Sequence, residues 1–318
     1  MTCICCDGET QRFGRFKNRN RTVQRYRCVK CGKTFSEDQP LNGLRVEPGK
    51  TIQIVKLLSE GCGIRAISRL TGCHTHTVMA VLYEVGQACD GLHDKLVRDV
   101  KSESIQIDEL WSKIGRCQRR SGPGDALRGD FYTFLAVAAR EKLIISYHTG
   151  KRDEENTDVF VRDLASRCNG RVQITTDGFI PYPSVIRKHL LGRLDYAVLV
   201  KQYAATPAEV EASRRYSPAP FVGIKRSIKA GNPRRDRICT SHVERTNLTV
   251  RHFNKRFARL GLGWSRKLAN HLAAISIFTA TYNWCKVHST MGCTPAMGTK
   301  LTDHTWTVEE LVERAISN

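Results

Sequence analysis

Three carboxylates stand far apart along this chain. Asp108 lies in SIQIDELWSKI, Asp177 in VQITTDG and Glu244 in SHVERTNLTVR. Oxygen donors with no His or Cys among them are the ligand set that Mg²⁺ or Mn²⁺ prefers, so the three could hold such an ion if the fold gathers them. Each acid also has an ordinary reading. Asp177-Gly178 is a common turn signal. Ser241-x-x-Glu244 ahead of a helix-like run fits a capping box, and acid in a first turn suits the helix dipole. Asp108 is followed by Glu109, and strand alternation puts Glu109, not Asp108, on the opposite face to Gln106. The pleat by itself leaves the choice between Asp108 and Glu109 open.

Glu244 heads a strongly basic run, with IKRSIKAGNPRRDRICT before it and HFNKRFARL after it. On a helix, Asn247, Leu248, Arg251 and Lys255 would form one stripe beside the carboxylate. Such a stripe sets two cations beside the acid on one face of the helix.

Soft ligands form a second set. Cys3 and Cys6, then Cys28 and Cys31, make two C-x2-C pairs that could close a tetrahedron round one structural Zn²⁺, and Gly32 permits the tight turn after the second pair. Cys5 is an alternative to Cys3 as the first ligand. Between the pairs, FGRFKNRNRTVQRYR is a basic, hairpin-like stretch with interleaved aromatics. Arg25 and Arg27 are candidates for contact with a phosphate backbone. A segment this small and polar needs the metal to fold. Residues 1–40 thus read as a zinc ribbon.

Residues 45–98 read as a helix-turn-helix DNA-binding domain of three short helices, KTIQIVKLLSEG, IRAISRLTG and HTHTVMAVLYEVGQACD. Ile67, Ser68, Gly72 and Val78 occupy the apolar, small, turn and apolar positions of that motif. His74, Thr75, His76 and Thr77 would start the third helix, where base edges are read. The compressed Cys73-His74-Thr75-His76 run is ill-spaced for tetrahedral zinc.

The rest of the chain must position the acids. SIQIDELWSKI, FYTFLAVAAR and KLIISYHTG read as strands, NTDVFVRDLASRC as helix, VQITTDG as strand, PSVIRKHLL as helix and YAVLVKQY as strand, followed by a late helix. That order suggests an α/β domain over 99–300, a mixed sheet flanked by helices as in RNase H-like folds, with a tail over 301–318. In that layout the first and fourth strands are neighbours, and a helix crossing their edge could bring Glu244 to the two aspartates. TYNWCKVHSTMGCTPAMG, with Tyr282, Asn283, His288 and Pro295, reads as packing against the sheet.

Composition narrows the partner. With 318 residues and a formal net charge of +20, the chain suits a polyanion, and nucleic acid fits better than a membrane surface. The apolar window LAAISIFTATYNW is too short to span a bilayer and reads as a buried helix. MTCICC lacks the basic-then-apolar order of a signal peptide. Thirteen cysteines, an odd number with four tightly paired, favour metal thiolates and free thiols over disulfides.

IQIDELWS, GKRD, ITTDGFIPY, SHVERTNLTVRHFNKRFARL and YNWCKVHSTMGCTPAM, in that order, resemble the transposases of the insertion-sequence-1 type of small bacterial mobile elements. The resemblance covers nearly the whole chain, and D-E-L-W, T-T-D-G-F and S-H-x-E-R-x-N are its most specific blocks. In the best-known members the zinc and helix-turn-helix part and the catalytic part are encoded in overlapping frames; here they are continuous. The resemblance implies a DDE enzyme with an RNase H-like fold and a catalytic, metal-holding triad of Asp108, Asp177 and Glu244, choosing Asp108 over Glu109. It further implies two Mg²⁺ or Mn²⁺ ions per site. Terminal inverted repeats and target DNA would be the partners, with cleavage at the element ends and joining of the 3′-OH to target. Arg245, Asn247, Arg251 and Lys255 would lie along DNA, in at least a homodimer, in the bacterial cytoplasm at the nucleoid. The basic insert RRYSPAPFVGIKRSIKAGNPRRDRIC has no role fixed by the motifs. Two rivals share these features: an inactive zinc and helix-turn-helix regulator, and an RNase H-like nuclease or resolvase without strand transfer.

Overall fold

Strands β1 (Thr10–Asn18), β2 (Arg21–Cys28) and β3 (Thr34–Ser36) form a small antiparallel sheet in that order. The structure is a computed structural model. It describes residues 2–317 except 4–5, 7, 19–20, 37–45, 123, 204–220 and 260. Among the described residues, the buried apolar cluster under this sheet is Cys3, Cys28 and Phe35, with Cys6 and Tyr26 against it and Val23 buried apart from it. Burial on that scale offsets little of the entropy of ordering the segment, so an ion held by the four sulfurs would add stability that the packing lacks.

Helices α1 (Pro48–Ser59), α2 (Ile64–Thr71) and α3 (Thr75–Leu96) follow. Pro48 starts α1 at a position where its missing N–H costs nothing. Gly72 ends α2 at φ +69°, the left-handed conformation a Cβ would resist. His74 caps α3 by accepting from the N–H of His76, and Ser68 Oγ donates to the Cys73 carbonyl at 2.7 Å across the turn. Ile67 and Val78 are fully buried. The third helix is not short: its 22 residues run past Asp90 because Leu92 and His93 continue the buried stripe of Val81, Leu82, Val85 and Cys89.

The larger sheet holds β4 (Ile105–Ile114), β5 (Gly129–Ala138), β6 (Ile144–Gly150), β7 (Val172–Thr176), β8 (Leu194–Tyr203) and β9 (Phe221–Ala230). Their spatial order is β6-β5-β4-β7-β8-β9, with β4, β7 and β8 parallel and the others antiparallel to their neighbours. Strand β9 lies in the basic insert and was not among the expected strands. As an edge strand with no buried residue and only Gly223, Ser227 and Ala230 half-buried, it has no period-2 alternation to read.

Helices α4 (Glu154–Arg167) and α5 (Tyr182–Leu190) cover one face. Asp153 caps α4 by accepting from the Asn156 N–H at 2.9 Å. On the other face lie α6 (Ser241–Phe253) and α7 (Leu268–Ala280), which continues into a π-turn over 281–285. Odd-numbered Ile105 and Ile107 of β4 join the apolar cluster on the α4 and α5 side, whereas Leu110 joins the one with Val243, Val250 and Ile275. The strand is thus buried on both faces, as a central strand in a covered sheet must be.

The expected tail is part of the core. After the short α8 (Pro295–Gly298), Trp306 stacks on Trp284 at 4.3 Å, and α9 (Val308–Ile316) buries Leu311, Val312 and Ala315. Residues on both sides of the boundary at 98–99 also share one cluster, which runs from Ile54 and Ile67 through Val85 to Phe134, Trp284 and Leu311. Where α3 crosses α7, a Cβ on Gly86 would stand 2.4 Å from the Ala273 Cβ and 2.5 Å from its Cα. Alanine is the better helix former by about 1 kcal/mol. Even so, Gly86→Ala should lower stability by about 1–3 kcal/mol through overpacking, read by urea unfolding. A stabilised variant would mean that α3 and α7 have room to part.

Candidate active site

Strand β4 pairs with β7 at only two positions, Ile105 with Ile174 and Gln106 with Thr175. Asp108 is two residues beyond Gln106, and Asp177 two beyond Thr175, so the register sets the carboxylates level where the pairing has ended. This is also where the chain reverses direction across the sheet, β5 lying to one side of β4 and β7 to the other. Clefts at the carboxyl ends of parallel strands form at such switch points.

The late helix is pinned over that opening by β4 itself. Gln106 is 1 % exposed, and its side-chain oxygen accepts from the backbone N–H groups of His242 (2.9 Å) and Val243 (3.1 Å). These are orphan donors in the first turn of α6, satisfied by a strand rather than by a local cap. The expected capping box does not form. Thr240, not Ser241, is the N-cap residue and makes no side-chain cap; its hydroxyl donates instead to Glu244 Oε1 at 2.8 Å. Lys201 of β8 donates to both Glu244 oxygens, at 2.6 and 2.5 Å. One turn on, Asn247 donates to Asp108 Oδ2 at 2.8 Å.

These residues line a cleft of about 540 Å³ that includes Asp108, Glu109, Asp177 and Glu244. Single oxygens of Asp108, Glu109 and Asp177 lie within 4.8 Å of one another. Glu244 lines the same cleft but stands outside that group, held by Lys201 and Thr240. Asp108 and Glu109 issue from opposite faces of β4 yet both reach the opening. Asp108 turns to α6, whereas Glu109 accepts from the Tyr182 hydroxyl of α5 and from Arg152 Nε at 3.0 Å.

Electrostatics follow from the crowding. Burial pushes the Asp108 carboxyl up to about 6, with the charges of Asp177 and Glu244 adding to the effect. Burial likewise pushes Glu109 up to about 7, again with Asp177 adding. An oxygen-only donor set under this strain fits a divalent cation, which would relieve both desolvation and repulsion. Two cleft atoms, Asn247 Oδ1 and Arg251 Nε, are buried without a hydrogen-bond partner among the described residues. Both atoms are enclosed by protein, so they leave hydrogen-bonding capacity unmet inside the cleft wall.

The expected stripe on α6 divides. Asn247 and Arg251 line the cleft. Arg245 is exposed outside it, and Lys255 lies beyond the end of α6, exposed in a 3₁₀ turn. Arg259 and Lys201 supply the cleft's other cations, and neither was foreseen. The one available signal for Arg152 was its place in the GKRD block. Gln106 lies in the IQIDELWS block and Tyr182 in ITTDGFIPY, but nothing in either marked the partner it would meet, and Lys201 falls outside every block. His288 packs edge-on against Tyr282 and is not among the cleft residues.

In the N-terminal sheet, one sulfur from each of Cys3, Cys6, Cys28 and Cys31 lies within 4.8 Å of the others. Cys3 to Cys31 is 3.6 Å and Cys6 to Cys28 is 3.5 Å. Edges of a tetrahedron with Zn–S bonds of about 2.3 Å measure roughly 3.8 Å, so the set fits zinc. The Cys31 N–H, 3.4 Å from the Cys28 sulfur, lowers that thiol to about 6. Cys5 falls outside the described residues. Arg25 and Arg27 are exposed on β2, their guanidinium carbons 5.8 and 5.6 Å from the Phe13 ring centroid. Thr75, His76 and Thr77 form the first turn of α3, with His76 exposed and both threonines half-buried.

No described protein family matches the sequence, and no curated protein matches it either. Among solved structures the chain is similar to a piggyBac transposase, determined by cryo-EM as a synaptic complex with hairpin DNA. The TM-score is 0.41 at 11 % identity, covering 87 % of this chain and 71 % of that one. So loose an overlap carries no weight for the chemistry of this chain.

Two measurements check the metal assignments. Protons compete with a cation for Asp108, so Mn²⁺ affinity by calorimetry should fall as pH drops through about 6 and level off at higher pH once the acid is ionised. Flat affinity from pH 5 to 8 would place the ion elsewhere. For the cysteines, Cys28→Ser should lose tightly bound zinc and expose β1–β3 to protease while the larger sheet keeps its far-UV signal. Unchanged zinc content would exclude the four-thiolate site.

Proposed function

We propose that the chain is a DNA transposase of the insertion-sequence-1 type, cleaving DNA at element ends and joining the freed 3′-hydroxyl to target DNA. In this reading residues 99–300 are an RNase H-like DDE domain, 1–40 a zinc ribbon and 45–98 a helix-turn-helix that binds terminal inverted repeats. The observation that carries it is the cleft at the β4–β7 opening, whose acids include Asp108, Asp177 and Glu244 and whose cations are Lys201, Arg251 and Arg259. Acids alone would repel DNA; acids among cations let a phosphate approach the oxygen ligands.

Asp108, Asp177 and Glu244 would hold two divalent ions, which supply a nucleophilic oxygen at neutral pH and stabilise charge on the phosphoryl and leaving oxygens. The chain's own groups orient that centre. Asn247 holds the Asp108 carboxylate by its Oδ2, and the Phe179 N–H holds Asp177 by its Oδ1 at 2.9 Å. Gln106 fixes the turn of α6 from which Glu244 projects. Lys201 neutralises Glu244 in the chain as it stands, and a DNA phosphate offers that ammonium an alternative partner. Arg251 and Arg259 are placed to draw the sugar–phosphate backbone into the cleft. Two ends must be handled together, so the working form is at least a dimer.

Asp108→Ala, Asp177→Ala and Glu244→Ala should each slow Mg²⁺-dependent nicking of end-containing DNA by at least about 100-fold while leaving binding largely intact. Strand transfer from pre-cleaved ends should be lost equally. Wild type that nicks but never joins ends would instead mark a nuclease, and retained joining in Asp177→Ala would refute the assignment.

A further inference from the structure

We infer that Arg152 is a DNA-backbone contact at the rim of the cleft and that Glu109 is the buried anchor that aims it. The inference rests on the reading of the cleft as a DNA-processing site and adds a contact outside its triad. Arg152 follows β6, just before the cap of α4. Its Nε and one terminal nitrogen meet Glu109 Oε2 at 3.0 and 2.9 Å. The same terminal nitrogen lies 3.8 Å from Asp177 Oδ2. The guanidinium sits over the Phe179 ring at 4.1 Å, with Tyr132 at 5.8 Å. Side chains from β4, from β5 and from the segment after β7 thus fix one planar cation beside the acid cluster.

The side chain is nevertheless 38 % exposed, against 4 % for Glu109. Its other terminal nitrogen makes no bond among the described residues. A guanidinium held on one edge and open on the other is suited to a phosphate oxygen, because its donor fork is set before the ligand arrives. Arg152 is not among the residues lining the cleft itself. The phosphate it takes is therefore a neighbour of the one over the acids, on the strand passing the Asp177 side.

Glu109 is committed elsewhere than to a metal. One oxygen accepts from the fully buried Tyr182 hydroxyl and the other from Arg152. Asp177 by contrast has Oδ1 on a backbone N–H and Oδ2 with only the 3.8 Å approach of Arg152. Glu109 lies within reach of the acid cluster, yet its bonds are those of a positioning residue. A neutral Gln at 109 would keep the shape and drop the charge that locks Arg152.

The experiment measures DNA binding against salt in Ca²⁺, together with Mg²⁺-dependent cleavage, for Arg152→Ala, Glu109→Gln, the double variant and Tyr182→Phe, each checked by thermal unfolding. The DNA carries the sequence flanking the gene. One lost phosphate contact should reduce the slope of log affinity against log salt by about 0.9 in Arg152→Ala, with no larger loss in the double variant. Cleavage by Arg152→Ala should fall roughly 100-fold. Methylphosphonate at one phosphate adjacent to the scissile one should remove most of that difference between wild type and Arg152→Ala. Mn²⁺ affinity of Glu109→Gln should match wild type, whereas Asp108→Asn should weaken it about tenfold or more. An unchanged salt slope in Arg152→Ala overturns the contact. Weakened Mn²⁺ binding in Glu109→Gln overturns the anchor and makes Glu109 a ligand. If wild type binds this DNA but never cleaves it, the reading of the cleft fails while the salt slope still decides the Arg152 contact. If a fold defect removes Glu109→Gln from use, Tyr182→Phe, which frees one Glu109 oxygen without touching Arg152, should shift the slope in the same direction but less.

Discussion

Parallel pairing between β4 and β7 lasts for two residue pairs and then opens. Everything at the candidate site depends on that early end. If pairing continued, backbone hydrogen bonds would fill the space beyond Gln106 and Thr175, and the carboxylates of Asp108 and Asp177 would face away from a closed seam. Because it stops, the strands leave a gap that α6 crosses. Gln106, the last residue of β4 paired with β7, then uses its side chain to satisfy two N–H groups of that helix. One residue therefore closes the sheet and fixes the helix that carries Glu244.

Gathering acids in this way is costly, and the neighbouring groups show how the fold bears it. Desolvation and mutual repulsion raise Asp108 and Glu109, and each of these carboxylates meets a dedicated donor. Glu244 is met by an ammonium, Lys201. Such pairs hold the arrangement without being strongly stabilising, since partly exposed ion pairs contribute little. They leave the acids available to a more highly charged partner.

The helices that precede the sheet are joined to it by packing. Helix α3 begins with the polar turn of Thr75, His76 and Thr77 and ends inside the core of the larger unit. Arg167 of α4, 5 % exposed, donates to the carbonyls of His93 and Val97 and to Asp94, closing the C-terminal end of α3 onto the sheet domain. The His93 carbonyl already accepts from the Val97 N–H at 3.0 Å, whereas Val97 lies at the helix end, so the guanidinium adds a second donor to one carbonyl, meets the other and opposes the negative end of the dipole. The close crossing at Gly86 serves the same union from the helix middle.

Much of this was legible in the residues themselves. Strands β4 to β8 and the helices between them follow from apolar runs and punctuation. The two C-x2-C pairs, the left-handed Gly72 and the turn before α3 follow from local chemistry, for which a few residues suffice. Hidden from the sequence were the exposed edge strand β9, the length of α3, the docked C-terminal helix and the real start of α6 at Ser241 with Thr240 as its cap. Each of these was decided by contacts with distant segments. Strand alternation told the faces of Asp108 and Glu109 apart but could not say which partner waited on each. Only the tertiary arrangement set Asn247 of α6 against one and Tyr182 with Arg152 against the other. Local sequence determines backbone conformation and which side chains are charged. What those charges meet depends on which remote elements the sheet brings across them, and no local pattern encodes that.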